Sequence, residues 1–366
     1  MKGTLVDEQK FLVRERLDAL FRVVVEAGYA IVGPRRQDDA IVFAPLTSAD
    51  ELPAGVRDAQ KPGEYRLSES ASPRRFSFAN GPQALKPLFF AAHEPLWEST
   101  HDQGRLSFTA LKPTGERLAV IGVRACDLAA LALHDAHFAH DAHYTRRRAG
   151  ALLIAVNCSH PAATCFCAST GDGPVASAGY DWMLDELDDG YLVQAGSEVG
   201  RALLARLPTT AASAEHSNAA GQQRAAAARQ QRRLPGRNLQ AGLFAQLEHP
   251  RWTETAVRCL SCGNCTSVCP TCFCNTQLDE AALDGTQAGR VRVWDSCFTE
   301  GHSYIHGIVI RDDTRKRYRQ WLTHKLGSWH AQYGRSGCVG CGRCITWCPV
   351  GIDLTEEVAA IVGENA

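Results

Sequence analysis

Two cysteine runs near the C-terminus constrain this chain more than any other feature of its sequence. They read CLSCGNCTSVCP from Cys259 and CVGCGRCITWCP from Cys338, and both follow the pattern Cys-x2-Cys-x2-Cys-x3-Cys-Pro. Bacterial ferredoxins bind cubane [4Fe–4S] clusters with this spacing. Three thiolates in a tight turn can hold one side of a cube, while the fourth cysteine is carried away and ligates the neighbouring cluster.

This crossing rule divides the cysteines of the two runs between two [4Fe–4S] clusters. The first cluster has the predicted ligands Cys259, Cys262, Cys265 and Cys348. The second has the predicted ligands Cys338, Cys341, Cys344 and Cys269. Structural zinc also uses Cys-x2-Cys pairs, but it gives no reason for the third cysteine step or for the Cys-Pro ending, which both occur twice. Iron–sulfur clusters are therefore the favoured interpretation.

Composition and charge exclude several other classes of protein. The chain has 366 residues, of which 45% are hydrophobic and 22% charged, so it is long enough for two or three globular domains. A net charge of −1 gives no basic excess for nucleic-acid binding. Charges interrupt the apolar residues of the N-terminus, so we expect no signal peptide, no membrane segment and a cytoplasmic location. Fifteen cysteines in a cytoplasmic chain indicate metal binding rather than disulfides.

A βαβ unit is predicted in the N-terminal half. The apolar run RLAVIGV breaks at Arg124 and passes into a helix that begins near Asp127, and ALLIAVNCSHP repeats the strand. Such a unit predicts a parallel sheet, with ligands beyond the carboxyl ends of its strands. Four cysteines follow these strands, and we predict that they bind a third [4Fe–4S] cluster: Cys126, Cys158, Cys165 and Cys167. The alternatives are four reduced, buried thiols or a structural zinc site.

The sequence predicts an α/β N-terminal domain with a parallel sheet, followed by a mostly α-helical ferredoxin-like dicluster domain. Residues 1–207 form the first and residues 241–366 the second. Residues 208–240 are rich in Ala, Gln and Arg and predict a partly helical, solvated linker. Near the N-terminus, the periodicity of residues 8–27 predicts an amphipathic helix, and YAIVGPRRQDDAIVFAPL predicts two strands joined by a polar turn.

Three further cysteines, Cys272, Cys274 and Cys297, are one fewer than a closed four-ligand site needs. We interpret them as packing around the dicluster domain, with a role as alternative ligands left open. His302 and His306 are spaced like zinc-binding pairs but lack the intervening glutamate of the metalloprotease motif, which gives weak support to a metal site. No dinucleotide fingerprint or Walker motif is present, so the sequence carries electron-transfer ligands but no site for hydride chemistry.

Five motifs, taken in order, resemble the β subunit of cytoplasmic NAD(P)-linked [NiFe]-hydrogenases, the sulfhydrogenases. They also resemble the A subunit of anaerobic sulfite reductase, which belongs to the same group. The motifs are GVRACDLAAL, the TCFC after NCSHP, RWTETAVRCLSCGNCTSVCPTCFC, WDSCF and HKLGSWHAQYGRSGCVGCGRCITWCP. All fifteen cysteines fall on cysteines of the family pattern. The segment GHSYIHG departs from the Gly-Gly-His-Asn motif that the family has at this point.

The resemblance implies a function in electron transfer. Members of the family relay electrons between a flavin subunit that meets NAD(P) and a catalytic subunit. For this chain the leading hypothesis is therefore an iron–sulfur subunit of a soluble [NiFe]-hydrogenase, with no substrate-converting centre of its own. A subunit of an anaerobic sulfite reductase and a stand-alone redox-sensing iron–sulfur protein are the alternatives, because the departure at GHSYIHG leaves the branch of the family open.

Overall fold

A computed structural model describes residues 9–102, 104–113 and 115–363 of the chain. Its strands, in chain order, are β1 Lys10–Val13, β2 Ala30–Gln37, β3 Ala40–Leu46, β4 Val56–Lys61, β5 Glu64–Glu69, β6 His93–Asp102, β7 Arg105–Ala110, β8 Leu118–Val123, β9 Leu152–Val156, β10 Trp182–Glu186, β11 Gly190–Ala195, β12 Thr210–Ala211, β13 Asn275–Ala281, β14 Gln287–Trp294, β15 Tyr304–Ile305 and β16 Ile308–Val309.

The α-helices alternate with these strands in the N-terminal half and predominate near the cysteine runs. They are α1 Leu17–Glu26, α2 Lys86–Phe89, α3 Ala125–His137, α4 Ala142–Arg148, α5 Cys167–Thr170, α6 Glu198–Leu204, α7 Ala214–Ala227, α8 Gln240–Ala245, α9 Arg251–Arg258, α10 Asn264–Ser267, α11 Thr314–Thr323, α12 Trp329–Tyr333, α13 Arg343–Thr346 and α14 Leu354–Val362. A π-helical turn, His324–Ser328, joins α11 to α12.

The main sheet is mixed, with the order β12-β1-β11-β10-β9-β8-β2-β3. Its centre is parallel, since β8 pairs in parallel with both β2 and β9, and β9 with β10. The predicted βαβ unit is therefore present, and all of β9 is buried, as expected for a strand covered on both faces. The outer strands are antiparallel because short hairpins join β2 to β3 and β10 to β11.

Helices cover both faces of this sheet. On one face α1 inserts Leu20, Phe21 and Val24 into the largest apolar core. On the other face α3 packs Leu128 and Leu131 against the central strands. Because α3 starts directly after β8, the first turn of this helix and its Cys126 lie at the carboxyl end of the sheet.

A second sheet joins the two halves of the chain. Its order is β13-β14-β6-β7, so a hairpin that lies between the two cysteine runs pairs with a hairpin from the N-terminal half. The buried carboxylate of Glu94 on β6 accepts hydrogen bonds from Arg147 and lies 3.7 Å from the guanidinium of Arg292 on β14. The C-terminal half therefore contains long strands as well as helices.

Two segments differ from their predicted structure. Within residues 8–27 the helix begins only at Leu17, and Lys10–Val13 forms β1, because these residues pair with β11 at the edge of the main sheet. Residues 208–240, predicted as a partly helical, solvated linker, do contain a helix, α7, but this helix is not solvated on all sides, because Ala220 is fully buried and Arg224 forms an ion pair with Asp185. Alanine side chains allow close packing without large apolar residues, so the composition did not indicate this contact. No helix of the described residues is long and apolar enough to cross a membrane.

Candidate metal centres

The first predicted set of ligands surrounds an apolar cavity. Its lining includes the four thiols of Cys259, Cys262, Cys265 and Cys348, with aromatic and aliphatic side chains between them. Cys348 reaches the cavity from the second cysteine run, as the crossing rule requires. Burial, followed by the neighbouring thiols of Cys259 and Cys348, raises the pKa of Cys265 well above its ordinary value. A group that supplies positive charge, such as iron, would therefore be needed to hold this thiol as a thiolate.

The second predicted set lies deeper. Each thiol of the second run is close enough to the crossing residue, Cys269, to be affected by its charge, and burial is the largest cause that raises the pKa values of Cys338, Cys341 and Cys344. The nearby Cys265 of the first set also contributes to the raised pKa of Cys344, and Cys344 lines the first cavity. The two sets are therefore direct neighbours.

Backbone amides of both loops donate to cysteine sulfurs in the same way. Ser261 N donates to Cys259 Sγ at 3.4 Å, and Gly340 N donates to Cys338 Sγ at 3.5 Å. Each donor lies two residues after its cysteine. Donors to sulfur stabilise thiolates and tune cluster potentials, so this geometry suits cluster ligation in both loops.

Two buried lysines approach the crossing residue Cys269. Lys86 Nζ donates to Cys269 O at 3.5 Å and lies 3.8 Å from the centre of the Trp294 ring. Lys325 Nζ donates to Thr271 Oγ1 at 2.8 Å, and Cys269 Sγ is 3.2 Å from the same oxygen. Burial alone would lower the pKa of Lys325, but the neighbouring thiolates raise it above its ordinary value. Buried cations need compensating negative charge, which thiolate-ligated clusters would supply here.

The third predicted set is assembled at the carboxyl end of the main sheet. Cys126 lies in the first turn of α3, Cys158 follows β9, and Cys167 begins α5. Burial, followed by Cys167 and Cys158, raises the pKa of Cys165, and Cys341 adds to this effect. The structure thus brings these thiols together and places them beside the second cysteine run.

Hydrogen bonds and a buried ion pair attach the second run to this end of the sheet. Cys165 Sγ lies 3.7 Å from Cys341 O, and Phe166 N donates to Gly340 O at 2.8 Å. Arg343, between two cysteines of the run, donates to Asp127 Oδ1 at 2.7 Å, and both side chains are at most 4% exposed. The α/β domain therefore forms one wall of the second loop.

The three remaining cysteines also lie near the loops. Cys272 is buried beside Cys269, while Cys274 and Cys297 are in contact at the base of the β13–β14 hairpin with His302 next to them. His306 lies apart, in a turn with a positive φ of 48°. Among the described residues, no group of three or more His, Cys, Asp or Glu side chains is arranged to hold a single metal ion.

Sequence reasoning missed the charged residues of the site. Lys86 and Lys325 are far in sequence from Cys269, and Asp127 is far from its partner Arg343, so local spacing did not indicate these contacts. Arg343 is buried, and its position between Cys341 and Cys344 in the second run was the one sequence signal that a cation lies beside these cysteines.

Comparisons with known proteins agree with this geometry. Residues 258–352 match the family model of a 4Fe-4S dicluster domain, which implies two [4Fe–4S] clusters. The chain is 32% identical over 244 residues to sulfhydrogenase 2 subunit beta of Pyrococcus furiosus, an alignment that covers 65% of this chain and 72% of the relative. No solved structure matches the chain. The order of the cysteine motifs, the thiol sets that they form and this relative together show that the chain belongs to the family of sulfhydrogenase β subunits.

Proposed function

We propose that this chain is a cytoplasmic electron-transfer subunit that relays electrons between a flavin/NAD(P)-binding subunit and a [NiFe]-hydrogenase. The dicluster domain and the relative from a sulfhydrogenase support an iron–sulfur subunit of a hydrogenase-type complex. In this proposal residues 1–207 form an α/β domain, residues 241–366 the dicluster domain, and residues 208–240 connect them.

The observation that carries the proposal is that the thiol sets are contiguous. Cys262 of the first set is exposed at the surface. Cys265 of this set neighbours Cys344 of the second, and Cys341 of the second neighbours Cys167 of the third. A series of one-electron centres from the surface into the α/β domain suits a relay, in which each cluster passes electrons to the next.

We assign the cluster ligands by the same reasoning. Cys259, Cys262, Cys265 and Cys348 hold the first cluster, and Cys338, Cys341, Cys344 and Cys269 hold the second. The cavity that the first four thiols share supports the crossed assignment. A third [4Fe–4S] cluster is held by Cys126, Cys158, Cys165 and Cys167. Its support is the convergence of four thiols, two buried and two partly buried, and the proximity of the cations Arg124 and Arg343 to Cys158, since a thiolate-ligated cluster is anionic.

Spectroscopy of the anaerobically prepared chain tests the relay function. Dithionite should bleach the visible absorption of the clusters, whereas NADH or NADPH alone should not, because in this proposal the hydride-accepting flavin belongs to the partner subunit. Adding the flavoprotein subunit should make the nicotinamide-dependent bleaching fast. Oxidation of NADPH by the isolated chain, without flavin or a partner, would contradict the proposal.

Serine substitutions test the ligand assignment. Cys348→Ser should alter the EPR signal of the cluster held by Cys259, Cys262 and Cys265, and Cys269→Ser should alter the signal of the other cluster. If Cys348→Ser altered only the cluster of the second run, and Cys269→Ser only the cluster of the first run, the ligands would not cross. For the third cluster, replacing Cys126 and Cys158 by Ala should remove about four iron atoms per chain, and an unchanged iron content would refute it.

A further inference from the structure

Four side chains that belong to none of the three thiol sets lie together at the base of the β13–β14 hairpin. Cys272 and Cys274 precede β13, and Cys297 and His302 follow β14. Pairing of the two strands brings these segments side by side, and Asp295 N donates to Cys274 O at 2.9 Å. The hairpin therefore has the same effect as a metal-binding turn, because it gathers ligands that are distant in sequence.

The side chains of this group are close enough to interact with one another. Cys274 is close enough to Cys297 and His302 to interact with both, and Cys297 is also close enough to Cys272 to interact with it electrostatically. Cys272 is 8% exposed, and Cys274 and Cys297 are partly buried. Each of the three thiols and the imidazole thus has a neighbour from the group within interaction range, in a partly to fully buried position.

His302 is oriented as a metal ligand would be. Its Nδ1 lies 2.6 Å from Asp295 Oδ2, which leaves Nε2 as the ring nitrogen that can face Cys274. Histidines that bind metals usually donate their other ring N–H to a carboxylate, which fixes the ring and strengthens the ligand. An ordinary surface ion pair is the alternative, but the side chains here are only 25% and 13% exposed.

The group lies between the two cysteine loops. Ser296 Oγ is 2.7 Å from Thr266 Oγ1 of the first loop, and Cys297 is close enough to Cys265 to interact with it electrostatically. On the other side Cys272 contacts Cys269, which we assign to the second cluster. The buried ammonium of Lys325 is near both Cys269 and Cys272, so it can offset negative charge at this position. A redox centre here would be adjacent to both of the ferredoxin-type clusters.

We infer that Cys272, Cys274, Cys297 and His302 bind a fourth [4Fe–4S] cluster, with Asp295 as the residue that positions the imidazole. This goes beyond the proposed relay of three clusters. The tally of ligands supports it, since fifteen cysteines and one histidine supply four ligands to each of four clusters. A cubane carries its ligands on four separate iron atoms, so it accepts side chains that are farther apart than those around a single zinc ion.

Metal analysis of the anaerobically prepared full chain tests this inference. The native chain should contain about sixteen iron atoms, with equal sulfide and negligible zinc. Replacing Cys274 and Cys297 together by Ala should remove about four of these iron atoms and leave the others in place. An iron content that the double variant does not change, or stoichiometric zinc lost from it, would overturn the inference. The Cys126 and Cys158 variant reports separately on the third cluster, so the two failures are distinguishable.

Substitutions of the histidine provide a second, milder test. His302→Cys should keep the full iron content but shift the EPR signal and lower the potential of one cluster, because a thiolate replaces a neutral imidazole. His302→Ala should lose or convert that cluster alone, and Asp295→Asn should shift its potential without loss of iron. His306→Ala, which changes an imidazole outside the group, is the matched control and should have no effect. If His302→Ala and His302→Cys both leave every EPR signal unchanged, His302 is not a ligand and the assignment is wrong.

Discussion

The two cysteine loops share one spacing but occupy opposite surroundings. Leu260 of the first loop is 63% exposed, and its counterpart in the second loop, Val339, is 2% exposed. The next position is Ser261 in the first loop and Gly340 in the second, and both have a positive φ, 51° and 64°. An added Cβ at Gly340 would lie 2.6 Å from the backbone of Cys167, whereas the first loop accommodates a serine side chain at the equivalent position.

This difference indicates distinct tasks for the same motif. The first loop is partly open, so the cluster that we propose there could exchange electrons with a partner at the surface. The second loop packs closely against the α/β domain at Gly340 and Gly342. At both positions the neighbouring backbone leaves no room for a side chain. The cluster that we propose for this loop would therefore be an interior relay, with surroundings set by residues of the N-terminal half of the chain. The predictions below test this contrast, from the largest expected effect to the smallest.

The largest effect is expected from the buried ion pair that only the second loop has. Asp127→Asn would leave the guanidinium of Arg343 buried without its counter-ion, so we expect the free energy of unfolding to fall by about 4 kcal/mol. Chemical denaturation of the anaerobic protein, followed by the visible absorption of the clusters, measures this change.

The first loop supplies the control for this substitution. The counterpart of Arg343 is Asn264, which is exposed, and Asn264→Ala should alter stability by less than about 0.5 kcal/mol. Asp279→Asn, in an exposed ion pair with Arg290, should also have a much smaller effect than Asp127→Asn. Equal losses in the three variants would show that the second loop is not specifically attached through its charge.

The second prediction compares equivalent glycines that have almost the same φ. Gly342 and Gly263 have φ values of 74° and 76°, so an alanine at either position costs about 1 kcal/mol for its backbone conformation. At Gly342 the added Cβ would also lie 2.4 Å from Thr164 O, and this backbone contact should raise the loss to about 3 kcal/mol. At Gly263 the nearest atom is a serine hydroxyl at 3.2 Å.

Thermal unfolding and iron content of Gly342→Ala and Gly263→Ala measure the difference. We expect Gly342→Ala to lose iron on purification and Gly263→Ala to retain it. Equal stability of the two variants would mean that Thr164 moves away without cost, and the close contact between the second loop and the α/β domain would then not be essential.

The contrast between the loops also shows how far the sequence could predict this protein. The Cys-x2-Cys-x2-Cys-x3-Cys-Pro pattern predicted the dicluster domain because the spacing is set by the geometry of the cluster itself. The apolar runs before Cys126 and Cys158 likewise predicted two parallel neighbouring strands, since buried strands lack polar alternation.

Contacts between distant segments could not be predicted in this way. Local spacing contains no information that β14 pairs with β6, that Lys86 reaches Cys269, or that Asp127 pairs with Arg343. Cys272, Cys274 and Cys297 lacked a fourth partner in the sequence pattern, because the hairpin that places His302 beside Cys274 forms only in the folded chain. The residues that cover the second loop likewise come from a distant part of the sequence, so local patterns could not predict them.

The smallest effect on the fold is expected at the open loop, where the change should appear in binding instead. Leu260 and Val257 are 63% and 83% exposed beside Cys262, so a charge at Leu260 removes little buried apolar area and should leave stability and iron content nearly unchanged. If a partner subunit covers this surface to reach the first cluster, Leu260→Glu should weaken its affinity about tenfold, which corresponds to about 1.4 kcal/mol. Titration calorimetry with the flavoprotein and the hydrogenase subunits measures this change.

Val25→Glu, at a residue 54% exposed on α1, is the matched control and should bind both partners normally. Unchanged affinity of Leu260→Glu for both partners would place the point of electron exchange elsewhere, because no docked subunit could then depend on the exposed face of the first loop.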